Sequence, residues 1–455
     1  MQDSSRADVV IVNTCSVTEE ADRAARAYIR RAHRQNPGAH ILVTGCYAQR
    51  APEQLASLPG VAAVVGNSHK ALAPEIALRL MEVEAQQRAV GRTLPEELIH
   101  IQAAPIDSAS PSVILADDSF AHSFIEDAPL LPGAQTRPNL KIQEGCGNRC
   151  TFCVIPLTRG GSRSLPVDAV LRQVRAFVDA GGNELVLSGI NLGRWGRDLT
   201  GSGAEIPNRL PALNRLPALV RRILQQTGLP RLRLSSIEPM DWDAEMIALM
   251  REFAGPKQKS RLARHAHLPL QSGSDAVLRR MHRRYRPWHY EEKVWALIDA
   301  AGDDLTLGAD VMAGFPGETD AEFEETLALI RRLPFGYLHL FPFSPRPGTR
   351  GWTLHAADPV AGQLVEERMA ALRALAAEKT LTHRQRFVGR ELDAITLRTA
   401  PLLERAGRTA GLTENFIPVE VRGSLAPNQL IRVRMNAIDS EGSLQAESVQ
   451  DAKHQ

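Results

Sequence analysis

A chain of 455 residues is longer than one hydrophobic core sustains, since single cores stop growing at roughly 250 to 300 residues, so two or three domains are expected. With 44% hydrophobic and 23% charged residues and no long apolar run, the composition excludes a helical membrane protein, and MQDSSRADVV lacks the basic and apolar regions of a secretory signal; a cytoplasmic location without a membrane partner is expected. Five cysteines, an odd number, argue against a disulfide framework and toward metal or redox chemistry, whereas a net charge of +2 decides nothing about partners.

The first domain is expected over residues 1–91. β-branched or apolar runs at 9–12, 41–44 and 61–65 alternate with a helical pattern over 19–35 that Asn36-Pro37-Gly38 ends, the pattern of a small parallel α/β sheet. Cys15 and Cys46 each follow a strand. In parallel sheets ligands collect at the strand carboxyl ends, so the two thiols are candidates to meet there; two small buried residues are the alternative. Residues 92–138 are rich in Pro, Ser, Ala and Asp without sustained period and read as a linker with little regular structure.

From 139 to 375 strand-like runs at 140–143, 184–188, 231–235, 266–270, 306–311 and 337–341 alternate with amphipathic helices. Six βα units predict a parallel barrel or partial barrel, with its chemistry beyond the strand carboxyl ends. A long helix over 360–384 leads out of it. Residues 376–446 carry short β-type runs at 391–397, 416–421 and 430–433 and are expected to form a small β-barrel. Between residues 257 and 286 nine Lys or Arg face a single acid, Asp275; such a run is either a solvated face or a phosphate-binding one.

The sharpest motif is Cys146-Gly147-Asn148-Arg149-Cys150-Thr151-Phe152-Cys153, in the loop after the first barrel strand. Three thiolates on one short loop suit a cubane [4Fe-4S] cluster: they ligate three irons and leave the fourth open to a cofactor or substrate. Gly145 and Gly147 permit close wrapping of the backbone. A zinc site is the alternative, though no fourth Cys or His follows at suitable spacing.

This CxxxCxxC loop resembles that of the radical S-adenosylmethionine (radical SAM) superfamily. The resemblance implies that Cys146, Cys150 and Cys153 bind the cluster and form the catalytic centre, that S-adenosyl-L-methionine is the second cofactor, and that Phe152 packs near its adenine. It places Gly182 and Glu184 at the methionine amino group, Ser235 and Glu238 at the ribose, and Gln271 and Asp310 on the same rim. The phrases NTC around Cys15, GCY around Cys46, SSIEP, HLPLQSGSD, GFPGET and FPFSPRPGT resemble the methylthiotransferases within that superfamily, which insert sulfur into an unactivated C–H bond and methylate it. GLTENFIPVEV resembles the family's RNA-binding TRAM barrel.

The resemblance implies a tRNA partner, an electron donor such as a reductase or flavodoxin-like protein, a sulfur donor it does not identify, and a monomer. Three branches differ in substrate: threonylcarbamoyladenosine in tRNA, isopentenyladenosine in tRNA, and a ribosomal protein. VIP, TRGGSRS, SGINLGRWGRD and SSIEP resemble the first. Family members hold a second [4Fe-4S] cluster with three cysteines of the first domain. Here Cys15 and Cys46 are its candidate ligands and the third is absent, which leaves that cluster a ligand short. An N-terminal domain lacking its first strand is the favoured explanation, a degenerate cluster the other. A sulfur-transfer-deficient tRNA-binding remnant is the alternative of another class.

Overall fold

The structure, a computed structural model, describes residues 7–90, 112–120, 136–199, 215–256, 260–440 and 442–449. They fall into two compact units. The first takes residues 1–126, 145–161 and 344–356; the second takes 127–144, 162–343 and 357–455. The cysteine loop thus belongs to the same unit as the N-terminal sheet.

The first unit is built on strands β1 (Val9–Thr14), β2 (His40–Gly45), β3 (Val61–Gly66) and β4 (Val113–Leu115), all parallel in the order β1-β2-β3-β4. β2 is covered on both faces, with Ile41 and Val43 in one apolar cluster and Leu42 in the other, which is why it reads as an unbroken apolar run. The helix Glu19–Gln35 begins where Thr18 Oγ1 accepts a hydrogen bond from Ala21 N at 3.2 Å, and Glu19, Glu20 and Asp22 place negative charge at its positive end. β4 lies within the stretch read as having little regular structure. Three residues are too short to carry a recognisable period, and the remainder of 92–138 lies outside the described residues up to 111 and from 121 to 135.

The second unit contains the barrel strands β5 (Asn139–Glu144), β7 (Glu184–Gly189), β8 (Arg231–Leu234), β9 (His265–His267), β10 (Thr306–Ala313) and β11 (Phe335–Pro342). β5, β7 and β8 pair in parallel, as do β9, β10 and β11, and a parallel bridge Leu232↔Leu262 joins the two sets. This is the expected six-stranded partial barrel. A two-residue strand β6 (Arg163–Ser164), not anticipated, pairs antiparallel with the end of β5. The helix Gly362–Gln385 follows the barrel.

Strands β12 (Glu391–Thr396), β13 (Arg408–Thr413), β14 (Pro418–Arg422), β15 (Leu430–Ile438) and β16 (Leu444–Ser448) close a five-stranded barrel around Leu392, Val419, Val421, Val433 and Leu444. Its segment Thr413 to Ile417 caps the amino-terminal end of the large barrel. Arg233 donates to the carbonyls of Thr413 and Glu414 at 3.2 Å, Arg264 pairs with Glu414 at 2.5 Å, and the Phe416 ring lies 4.4 Å from that of His265. One end of the barrel is therefore closed by protein, and access is from the carboxyl end of the strands.

Candidate active site

The cysteine loop is shaped by glycines at its root. Gly145 has φ +71°, and a Cβ there would stand 1.9 Å from the Gly161 carbonyl oxygen, so no other residue allows the loop to close this tightly. Cys146 N donates to Gly160 O at 3.0 Å and Cys153 N to Cys150 O at 3.1 Å. The loop is pinched at its base, turns between its second and third thiols, and leaves all three sulfurs half-buried. A Cβ at Gly147, which is exposed, would meet nothing within 4 Å, so packing does not require a glycine there. The donor set fits an iron–sulfur cluster: three soft thiolates on one loop. Phe152 is half-buried in the same loop.

Cys15 and Cys46 lie at the carboxyl ends of neighbouring strands. Thr14 and Gly45 are register partners, so the residue after each is a cysteine. Gly45 has φ +104°, and a Cβ there would lie 2.2 Å from Thr14 O; glycine is what lets the two strand ends approach. Cys15 is exposed and Cys46 buried. Around Cys46 Sγ stand Arg159 Nε at 3.2 Å and Asn67 Nδ2 at 3.5 Å, both donating to the sulfur. Arg159 ends the helix Ile155–Arg159 that follows the cysteine loop, so the two cysteine groups share a side-chain contact. All five cysteines lie in one compact unit, which local spacing along the chain could not reveal.

In the second unit the residues expected to hold S-adenosylmethionine separate into two groups. Ser235, Glu238 and Gln271 follow the carboxyl ends of β8 and β9. Gln271 is 7% exposed, adopts φ +63°, and its Oε1 is buried without a hydrogen-bond partner among the described residues; Ser235 Oγ is in the same condition. Each of these two residues thus presents a buried polar atom at a strand carboxyl end. Glu238 is held by both oxygens to Arg283 at 2.8 and 2.6 Å. Asp310 lies midway along β10. Burial pushes its carboxyl group up, but hydrogen bonds and charge from His267 and His339 outweigh burial and hold it well below the usual carboxylate range.

Gly182 and Glu184 form the other group. Glu184 is the first residue of β7, about 17 Å from the strand's carboxyl end at ~3.3 Å per residue. It is fully buried among Arg233 at 2.9 Å and Arg231 and Arg137 at 3.3 Å, and these arginines outweigh its burial to lower its pKa. A Cβ at Gly182 would lie 2.2 Å from the Phe177 ring, so this glycine serves packing. Asn183 and Asn428 exchange hydrogen bonds with backbone carbonyls across this end at 2.7 and 2.8 Å. The small barrel occupies the space at the start of β7, and neither Gly182 nor Glu184 is brought to the rim. The strand end facing the rim is instead Ser188-Gly189, followed by Asn191, whose N–H donates to Gln143 Oε1 at 2.7 Å.

The basic run is mostly neutralised. Arg264, Arg279, Arg280, Arg283 and Arg286 pair with Glu414, Asp275, Glu322, Glu238 and Asp275, while Lys257 and Lys259 lie outside the described residues. Three of these four acids, Glu238, Glu322 and Glu414, are distant in sequence. A surplus of positive charge survives around Asp241, which Arg197 reaches at 3.4 Å, Arg194 at 3.5 Å and Arg284 at 4.0 Å.

The chain is similar to several known proteins. The radical SAM superfamily pattern matches residues 140–330, and that of a family described as uncharacterized protein family UPF0004 matches residues 1–66. The threonylcarbamoyladenosine tRNA methylthiotransferase MtaB of Aquifex aeolicus is 33% identical over 94% of this chain and 90% of its own, and that of Bacillus subtilis 34% over 92% and 83%. A tRNA-2-methylthio-N(6)-dimethylallyladenosine synthase of Cereibacter sphaeroides is 33% identical over 95% and 88%. Among solved structures, the radical S-adenosylmethionine methyltransferase TsrM of Kitasatospora setae aligns with 74% of this chain and 65% of its own at a TM-score of 0.46 and 15% identity. On its end-to-end likeness to relatives at these identities, the chain belongs to the radical SAM methylthiotransferase family.

Proposed function

We propose that this chain is the tRNA methylthiotransferase that converts N6-threonylcarbamoyladenosine, beside the anticodon, to its 2-methylthio derivative. The observation that carries this reading is the end-to-end match to proteins of that name, over 94% and 92% of the chain. The dimethylallyladenosine branch is the second reading, favoured by a relative of equal identity over 95%. The lumen supports the first. Asp310, His267, His339 and Gln271 line it with polar groups that suit a threonyl substituent, whereas a hydrocarbon tail calls for apolar walls.

In this reading Cys146, Cys150 and Cys153 hold the [4Fe-4S] cluster. Bound there, the cluster would supply one-electron reduction of S-adenosylmethionine, the source of the radical chemistry that acts on an unactivated C–H bond. Gln271 and Ser235 offer their unanswered polar atoms to the cofactor. Glu238, fixed by Arg283, is positioned to accept hydroxyl hydrogens. Phe152 covers the adenine. Cys15 and Cys46 are ligands of the sulfur-handling cluster, with Arg159 and Asn67 holding the Cys46 sulfur in place. Arg194, Arg197 and Arg284 contact tRNA phosphates, since phosphate binding requires a cationic surplus. The small β-barrel is the TRAM-type RNA-binding module. The protein works as a cytoplasmic monomer reduced by a reductase or flavodoxin-like donor.

The test is anaerobic reconstitution with iron and sulfide, reduction, and assay for 5′-deoxyadenosine. Wild-type protein is expected to form it and the Cys146→Ala/Cys150→Ala/Cys153→Ala variant to form none. A reconstituted wild type that leaves S-adenosylmethionine intact contradicts the enzyme reading.

A further inference from the structure

We infer that His267, Asp310 and His339 form a binding site for a first-row divalent cation of the Fe²⁺ or Mn²⁺ class, in the lumen of the large barrel and separate from the cysteine-held iron. The site follows from strand register. Asp310 on β10 is paired directly with His339 on β11, and His267 on β9 is paired with Gly308, two residues before Asp310. Side chains two residues apart on a strand share a face, so the three project together from adjacent strands.

The donor atoms have the spacing that a cation requires. His267 Nε2 lies 3.1 Å and His339 Nδ1 lies 3.3 Å from the same oxygen, Asp310 Oδ1, and the three ligand atoms all fall within 4.8 Å of one another. Metal–ligand bonds of ~2.1 Å place neighbouring ligand atoms ~3.0 Å apart in octahedral and ~3.4 Å apart in tetrahedral geometry. Two imidazoles and one carboxylate, with further positions open, are the donor set of mononuclear ferrous sites.

Groups behind the ligands hold them in place. Gly308 lies between His267 and Tyr337 in register, and a Cβ there would collide with the Tyr337 ring at 2.1 Å. Across that gap Tyr337 Oη reaches His267 Nδ1 at 3.0 Å and His265 Nε2 at 2.8 Å. With His267 Nδ1–H donated to the tyrosine oxygen, its Nε2 lone pair faces Asp310, the outer-shell arrangement usual for a metal-bound histidine. His265, buried behind the tyrosine, is kept neutral by its burial and by Arg233. The site is reachable from the lumen: the His339 side chain is 61% exposed and that of Asp310 24%, while that of His267 is 7% exposed.

With only three protein ligands, the cation keeps coordination positions open to an oxygen ligand such as a carboxylate. The probe is Mn²⁺ alone, titrated into anaerobically reconstituted full-length protein with its cluster in the diamagnetic oxidised state. Loss of the free-ion electron paramagnetic resonance signal then counts bound manganese without interference. Wild type is expected to take up about one Mn²⁺ per chain at micromolar concentration. His339→Ala, at the exposed position, is expected to bind at least tenfold more weakly, and Asp310→Asn to lose the site. His69→Ala, which removes a histidine of the other unit, is expected to bind like wild type. An ion-free triad, in which both imidazoles donate N–H to Asp310, predicts no saturable Mn²⁺ uptake by wild type. That result overturns the proposal, as does unchanged binding by both His339→Ala and Asp310→Asn while their melting temperatures match wild type.

Discussion

Glu184→Gln separates a structural role for the start of β7 from a cofactor-binding one. The carboxylate is fully buried and engages Arg233, Arg231 and Arg137 at 2.9 to 3.3 Å. Glutamine keeps the shape but removes the charge, which leaves three guanidinium groups facing a neutral amide in a region closed by the small barrel. Removing one partner from a buried ionic group costs about 3 to 5 kcal/mol. At ~2 to 4 °C per kcal/mol for a unit of this size, the melting temperature falls on the order of 10 °C. The assay is anaerobic calorimetry of the full chain, paired with S-adenosylmethionine affinity measured well below either transition. A lower melting temperature with unchanged cofactor affinity is expected. Unchanged melting with cofactor affinity weakened tenfold or more would refute the reasoning and return Glu184 to the cofactor.

Three further outcomes are expected. His383 is 5% exposed, accepts from or donates to Thr306 Oγ1 at 2.8 Å, and is pushed down to about 4 by burial and by Arg386 and Arg384. Below its unfolded value of ~6.5 the unfolded chain takes up the proton first, so stability falls as pH drops from ~6.5 to ~4, by about 3 kcal/mol at most; His383→Gln flattens that limb in pH-dependent melting. Gly145→Ala forces the loop base open against Gly161, and iron bound per chain after reconstitution is expected to fall sharply while the second unit melts as before. Arg197→Ala/Arg284→Ala removes two of the three arginines around Asp241, and the slope of log affinity for tRNA against log salt is expected to decrease by about 1 to 2. An unchanged slope would remove these residues from the RNA surface.

Most strands and helices with a strong period were legible within a residue or two, but β9 ends at His267 rather than at 270, β15 runs on to Ile438 rather than 433, and β13 and β16 were not singled out. The helix Glu19–Gln35 was bounded by its own signals, acids in its first turn and Asn36-Pro37-Gly38 beyond its end. The barrel strands stood out as short runs between helical patterns: β10 is buried along nearly its whole length, whereas β5 and β8 alternate apolar with polar residues. β4 and β6, with three and two residues, exist only through pairing with neighbours and left no periodic trace. The cysteine loop was readable because its ligands are local. Gly182 and Glu184 were misplaced because spacing along a chain does not say which end of a parallel strand faces the chemistry. Positive charge was overcounted between residues 257 and 286, since Glu238, Glu322 and Glu414 neutralise arginines from 42 to 150 residues away. Asp310 was found, while His267 and His339 needed the strand register to join it.

The most direct test of the central claim is nucleoside analysis of tRNA from cells lacking this gene, before and after the gene is restored on a plasmid. 2-Methylthio-N6-threonylcarbamoyladenosine is expected to disappear in the deletion while its unthiolated precursor accumulates, and both are expected to revert with the wild-type gene but not with a Cys150→Ala copy. Persistence of the methylthio nucleoside in the deletion, or loss of the dimethylallyl derivative in its place, would contradict the account.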